Sequence, residues 1–359
     1  MDKTLKILMV GSDLSVKGGM TSVVKAFLNH DFKDQIDIMY IPTHIEGVAN
    51  IKKIVFFMHS ILNIISTLLK EDISIVHIHM SEKGSFYRKF IIYLLGKVFR
   101  KKIIVHMHGA EFKEYFNQGN FIRKKLIKNM LIGSHKVIVL GDSWNKFVKN
   151  IDKTINTIIL RNAVDIQNKI AEYKDNNVNI LFLAVLIERK GIFDLVHIAE
   201  LLTKDNDLKG YNIKFLIAGS GKDEDVMKEK IRNHNLQDYF KFEGWVDKEQ
   251  KEELFIKSQI YILPSYNEGL PVSVLEAMSY GLPIITTNVG SIEDAVEHGV
   301  NGFVTDCGDS VKMYKYIKKC IINHEMWKDF SIKSKDIIEN FYSADKYFIS
   351  IENLYKSLC

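Results

Sequence analysis

The chain has 359 residues, 47% hydrophobic and 26% charged, the balance of a soluble globular protein long enough for two ordinary domains with separate cores. The net charge of +5 is unevenly spread: 25 Lys+Arg and 14 Asp+Glu through Asp165, then 24 and 30 beyond it, a basic half followed by an acidic one. Cys307, Cys320 and Cys359 have neither metal-ligand spacing nor a disulfide framework, which points to a reducing cytoplasm. The opening MDKTLKILMV leads into a strand pattern without a cleavage signal, and no apolar run approaches about twenty uncharged residues, so no bilayer span is expected. Basicity without a recognition motif also excludes a nucleic-acid partner.

Leu5–Val10 predicts a strand, Gly11–Met20 (GSDLSVKGGM) a glycine-bearing loop and Thr21–Leu28 a helix. Such a loop can hold phosphate, because glycine lets the backbone approach a ligand; it can equally be a turn with no ligand. It lacks the GxGxxG spacing, so a nicotinamide site is disfavoured. A strand at Ile36–Ile41 and a long apolar helix at Asn50–Leu69 follow. Ile73–His79 and Ile103–His108 predict parallel strands, apolar on both faces. The segments FYRKFIIYLLGKVFRKK and FIRKKLIKNMLI mix basic with large apolar residues. Each suits either a core-facing helix with wetted lysines or an anionic membrane surface, where a nearby Lys or Arg contributes about 1 kcal/mol.

His77, His79, His106 and His108 alternate along two strands, but no carboxylate or cysteine pattern accompanies them and no metal site is expected. His108, at a strand's carboxyl end before Gly109, is the candidate for ligand contact; the other three are packing residues. Val137–Leu140 and Ile158–Leu160 complete the first set of strands, with a helix from Ser143 to Lys149, and Asp165–Asn179 is a polar linker. Strands at Ile180–Leu186, Ile213–Ala218, Lys241–Phe242, Gln259–Leu263, Ile284–Thr287 and Gly302–Val304 alternate with helices, which predicts a second parallel, doubly wound sheet.

Three of the four prolines fall in Pro264–Pro283, PSYNEGLPVSVLEAMSYGLP. Pro271 is placed as the first helical residue, and Gly281 with Pro283 stops the helix. Backbone N–H groups at Leu270, Val272 and Ser273 suit phosphate, whereas the carboxylates of Glu268 and Glu276 suit hydroxyls. A nucleotide sugar offers both, with Glu268 on the sugar and Glu276 on the ribose. Alternatively, Glu268 complements the helix dipole and Glu276 is solvated.

EGLPVSVLE followed by AMSYGLPII resembles the Glu-x7-Glu signature of retaining GT-B glycosyltransferases of family 4. That resemblance implies an α/β fold of two Rossmann-like, doubly wound parallel-sheet domains facing a central cleft. The domains fall at 1–168 for the acceptor and 169–342 for the nucleotide sugar, and a helix at 343–359 crosses back to the first. It implies catalytic roles for His108, Lys190 and Glu268. Donor contacts follow for Gly18, Gly19, Arg189, Gly219, Trp245, Val246, Gly269, Leu270, Pro271, Val272 and Glu276. Gly18, Gly19 and Met20 resemble the family's Gly-Gly loop, FEGWV at Phe242–Val246 its nucleobase loop, and RNAVD at Arg161–Asp165 its crossover, with Ala163 where glycine is usual. Lys190, in ERKGIFDLV, stands where a cation neutralises the leaving diphosphate. Val185 takes the place of the usual arginine, and Arg189 is the substitute if its side chain faces the ligand.

The implied reaction is same-face transfer in which the departing phosphate accepts the acceptor's proton, with no metal or other cofactor and a UDP-sugar favoured over a GDP-sugar. GGMTSVV, HIHMSEKGSFYRK and HMHGAEF look most like bacterial hexosyl- or N-acetylhexosaminyltransferases that build exopolysaccharide, capsule or lipopolysaccharide on a lipid-linked saccharide acceptor. Such an enzyme would be peripheral at the inner face of the cell membrane. A non-catalytic GT-B partner subunit, which Val185 favours, and a nucleotide-sugar epimerase are the alternatives.

Overall fold

The structure, a computed structural model, describes residues 4–33 and 35–359; residues 1–3, where the reading of the N-terminal segment begins, and Asp34 lie outside it. The chain divides into two compact units, Met1–Asn162 with Asp345–Cys359, and Ala163–Ala344.

The first unit holds β1 (Leu5–Gly11), α1 (Gly19–Asn29), β2 (Ile36–Pro42), α2 (Asn50–Lys70), β3 (Ile73–Met80), α3 (Gly84–Val98), β4 (Lys102–Met107), α4 (Phe112–Asn117), α5 (Phe121–Gly133), β5 (Lys136–Val139), α6 (Asp142–Ile151) and β6 (Thr157–Ile159). Its strands form one parallel sheet in the order β2-β1-β3-β4-β5-β6. Burial of β3 and β4 along nearly their whole length explains why ISIVHIHM and KIIVHM are apolar on both faces. The chain leaves β1 for one side of the sheet and returns to the other, so order reverses between β1 and β3. That crevice is where an open α/β sheet takes ligands.

The last helix, α13 (Ala344–Leu358), buries Tyr347, Phe348, Ile351, Leu354 and Tyr355, a stripe at helical spacing. Phe27 of α1 meets Tyr347 and Phe348 edge to face, and the Tyr355 hydroxyl lies 2.6 Å from His77 Nδ1. Five large side chains removed from water contribute about 10 kcal/mol before entropy is counted.

The second unit holds β7 (Asn177–Leu183), α7 (Ile192–Lys204), β8 (Asn212–Ala218), α8 (Glu224–Asn233), β9 (Phe240–Gly244), α9 (Lys248–Lys257), β10 (Ile260–Leu263), α10 (Val272–Ser279), β11 (Ile284–Thr287), β12 (Gly302–Thr305), α11 (Ser310–Ile322) and α12 (His324–Phe341). Its sheet is also parallel, ordered β12-β11-β10-β7-β8-β9, and its reversal falls between β7 and β10.

Four expectations change. β7 starts at Asn177 rather than Ile180 and ends at Leu183, because side-chain amides secure its polar start: Asn212 Nδ2 donates to Asn177 Oδ1 at 3.0 Å and Asn179 Nδ2 to the Lys257 carbonyl at 2.8 Å. Gly19 and Met20 belong to the first turn of α1 rather than to a loop, since Gly18, at φ +147°, ends the loop in a conformation that side chains resist. Pro271 caps α10 with extended ψ instead of entering it. Finally, α2 is long and apolar enough by length and composition to cross a membrane. It packs on its own unit, with Ile64 and Leu68 buried and Ser60 Oγ donating to the Pro42 carbonyl at 2.7 Å.

Candidate active site

In the second unit the loops leaving β7 and β10 come together at the strand-order reversal. Lys190 ends a short 3-10 turn, Glu188–Lys190, and Gly191 follows at φ +73° with no space for a side chain beside the Pro264 carbonyl. This close approach seats Lys190 against the second loop, where its Nζ lies 2.5 Å from Glu268 Oε1. Ser265 Oγ donates to the same oxygen at 2.6 Å. Glu268 is 6% exposed, so burial requires partners of this kind.

The loop itself is held from three sides. Arg189 Nη1 donates to the Asn267 carbonyl at 2.8 Å, the Tyr266 N–H donates to the Arg189 carbonyl at 2.9 Å, and the Ser291 N–H donates to the Gly269 carbonyl at 2.8 Å. Arg189 is thus committed to shaping the loop, and Val185 brings no charge of its own.

Beyond Leu270, which is buried, α10 begins with no side-chain cap and no acidic residue in its first turn, leaving a positive helix end available to an anion. Tyr261, buried under this end, keeps its hydroxyl 2.7 Å from Ser273 Oγ, and burial pushes its phenol pKa up. Glu276 pairs with Lys251 of α9.

Gly219, Gly221 and Gly244 have a structural use. A Cβ at Gly219 or Gly221 would overlap the Ala184 or Leu186 carbonyl, and the Gly219 N–H donates to the Gly244 carbonyl at 2.6 Å. Trp245, the next residue, is half exposed and Val246 is half-buried.

In the first unit, Gly18 caps α1 without a side chain, and His108 lies one residue beyond β4. Its Nε2 is 2.9 Å from His79 Nδ1, and its ring stacks on His79 at 5.0 Å between centroids. Loss of hydration takes the pKa values of His77 and His108 down to about 3 and those of His79 and His106 well below their ordinary value, so all four are neutral at pH 7. His77, His79 and His106 bring ring nitrogens within 4.8 Å of one another, close enough to hold a metal ion. However, His77 lies nearly parallel to both others, at 17° and 18°. Rings stacked in this way present faces to each other, whereas a metal needs in-plane lone pairs that converge.

Sequence reasoning brought out Lys190, Glu268, Glu276 and His108 but missed Ser265 and Lys251. Ser265 sits three residues before Glu268, a local signal available in PSYNEG. Lys251 meets Glu276 only through tertiary packing of α9, which no spacing announces.

Two doubly wound parallel sheets, the second with a lysine and a Glu-x7-Glu pair at its strand-order reversal, define the GT-B class. Residues 164–337 match the family model described as "Glycosyl transferases group 1", and the chain carries a domain of that family, whose members are transferases of glycosyl groups. It is similar to the 2-deoxystreptamine N-acetyl-D-glucosaminyltransferase of Niallia circulans, 24% identical over 322 residues, covering 84% of this chain and 81% of the relative. The UDP-Gal:alpha-D-GlcNAc-diphosphoundecaprenol alpha-1,3-galactosyltransferase of Escherichia coli is 22% identical over 349 residues, covering 90% and 84%. Other relatives carry names from capsular polysaccharide and amylovoran biosynthesis. Among solved structures, Anabaena HepE in complex with UDP superposes with a TM-score of 0.78 at 16% identity, covering 98% of this chain and all of that one.

Proposed function

We propose that the protein is a retaining glycosyltransferase of the family 4 type that moves a hexosyl or N-acetylhexosaminyl group from a nucleotide sugar, a UDP-sugar before a GDP-sugar, to a lipid-linked saccharide in surface polysaccharide synthesis. The observation that carries this reading is the buried Lys190–Glu268 pair, 2.5 Å apart beside the uncapped start of α10. There a cation, a hydroxyl acceptor and free helix-end donors suit a sugar diphosphate. The E. coli relative, named for a lipid-linked acceptor, and HepE, solved with UDP, support the substrate classes.

In the reaction the bond from the anomeric carbon to the diphosphate breaks, the acceptor oxygen bonds to the same face, and the acceptor's proton passes to the departing phosphate. Lys190 and the start of α10 stabilise the charge that develops on the diphosphate. Glu268 holds sugar hydroxyls, Glu276 the ribose, and the main chain of Trp245 and Val246 the base. Neutral His108 hydrogen-bonds the transferred group, and no divalent metal takes part. The outward apolar residues of α2, α3 and α5 hold the first unit at the inner membrane surface.

The test is turnover across UDP-, GDP-, ADP- and TDP-sugars with polyprenyl-diphosphate saccharides. Transfer from one donor with retained configuration is expected, and Glu276→Ala should raise that donor's KM at least tenfold. Nucleotide binding without transfer to any acceptor would overturn the enzyme reading in favour of a partner subunit lacking the Val185-position arginine, and inverted product would overturn the retaining mechanism.

A further inference from the structure

Lys89 is 2% exposed, yet among the described residues no carboxylate pairs with it. Its Nζ donates to the Gly11 carbonyl at 3.1 Å and to the Thr43 hydroxyl. An ammonium in such a place pays heavily for lost hydration unless an anion joins it. Burial and the neighbouring Arg88 hold its pKa well below the ordinary lysine value. Arg88 is itself half-buried, its Nε has no hydrogen-bond partner, and no carboxylate lies within ion-pair distance of it among the described residues. One guanidinium nitrogen folds back over Gly84, the first residue of the 15-residue helix α3, whose first turn contains no acidic residue and no side-chain cap.

Three independent sources of positive potential therefore meet: a buried ammonium, an unpaired guanidinium and a helix N-terminus. They meet at the strand-order reversal of the first unit, between the carboxyl ends of β1 and β3. His44, beside the end of β2, adds a group whose pKa burial, then Arg88, pull down. Its nearest carboxylate, Glu46 at 3.7 Å, is mostly exposed. Glu82, the acidic residue of the loop before α3, turns instead against Gly109.

We propose that Arg88, Lys89 and the start of α3 bind an organic diphosphate, that of the acceptor. The assignment to the acceptor rests on reading the first unit as the acceptor domain. The diphosphate binds by charge neutralisation, Arg88 with its planar fork and Lys89 as a point charge, while the saccharide beyond it reaches the reacting position.

Titration of the full chain with inorganic pyrophosphate, with saturating nucleoside diphosphate present, tests the site directly. One further binding event is expected. It should weaken at least tenfold in Arg88→Gln and in Lys89→Met, and Lys190→Gln should leave it unchanged; Arg88, being partly exposed, keeps the test open if the buried Lys89 variant fails to fold. Pyrophosphate binding that is absent, or equal in wild type and Arg88→Gln, overturns the proposal. In steady-state transfer, Arg88→Gln should raise KM for a polyprenyl-diphosphate saccharide at least tenfold, leaving the donor's KM and that of the same saccharide without diphosphate as they were. A rise in donor KM instead would assign these residues to the nucleotide and overturn the assignment to the acceptor. If no donor supports transfer, the glycosyltransferase reading falls, and the pyrophosphate titration still decides the site by itself.

Discussion

At the residue scale, the Lys190–Glu268 pair is a structural element as well as a chemical one. Glu268 is 7% and Lys190 16% exposed at the side chain, so removing one partner leaves a charge in a poorly hydrated place. Lys190→Met should destabilise the second unit by about 3 kcal/mol, read as a shift in its urea midpoint. Adding Glu268→Gln should recover part of that loss, because the orphaned carboxylate disappears with it. If the single variant is as stable as wild type, the pair contributes nothing to the fold and its retention is purely catalytic. Both residues stand out in the sequence as motif positions, but their contact joins positions 78 apart. Only the return of β10 beside β7, and the lack of a side chain at Gly191, create it.

At the element scale, strands β3 and β4, with the residue that follows β4, bring together four neutral imidazoles, those of His77, His79, His106 and His108. Each unfolded histidine titrates near 6.5, whereas His77 and His108 when folded do so near 3. The unfolded chain therefore binds more protons throughout that window. Stability of the first unit is fully present above about pH 6.5 and falls as pH drops toward 3, by about 1.4 kcal/mol per pH unit for each such histidine. Among the described residues, neither ring nitrogen of His106 has a hydrogen-bond partner. His106→Leu should leave neutral-pH stability unchanged or improved and make the acid slope shallower. Thermal melts from pH 7 to 4 check this, and an unchanged slope would show that His106 does not titrate on unfolding.

The alternation that produced these strands was legible, because parallel strands buried on both faces have few ways to be written. Element ends were less so. β7 begins three residues earlier than its apolar run because the amides of Asn177 and Asn179 find partners across the sheet. α1 begins early because Gly18 turns the chain where a side chain would resist. Neither cause is apolar, and apolar periodicity does not report it. Arg88 and Lys89 show the same limit from another side. Their position in GSFYRKF suited either a core-facing helix or a basic membrane segment, and only the packing of α3 on β3 and β4, which carries Lys89 to the Gly11 carbonyl, separates a buried ammonium from the wetted lysines around it.

At the scale of the whole molecule, charge follows the two units. Residues 1–162 with 345–359 carry 27 Lys+Arg against 15 Asp+Glu, and residues 163–344 carry 22 against 29. The basic unit also bears the outward apolar residues of α2, with Ile51 75%, Ile54 63% and Leu69 70% exposed, together with Val98 of α3 and Phe121 and Ile122 of α5, also exposed. Apolar residues alone would bind neutral and anionic bilayers alike, and charge alone would bind anionic ones without inserting. Acting together, they predict binding that needs acidic lipid and weakens with salt as the Debye length shrinks from about 10 Å at 0.1 M to about 3 Å at 1 M. In vesicle sedimentation the full chain should pellet with phosphatidylglycerol-rich vesicles, remain largely in solution with phosphatidylcholine alone, and be released by 1 M salt (~3 Å screening). Ile54→Glu with Met58→Glu should weaken the bound state at least tenfold, since two half-exposed apolar side chains become anions at the same lipid surface. Equal binding by that variant would show that lysines and arginines act without α2, and equal binding to both vesicle types would show that the charge division between the units plays no part.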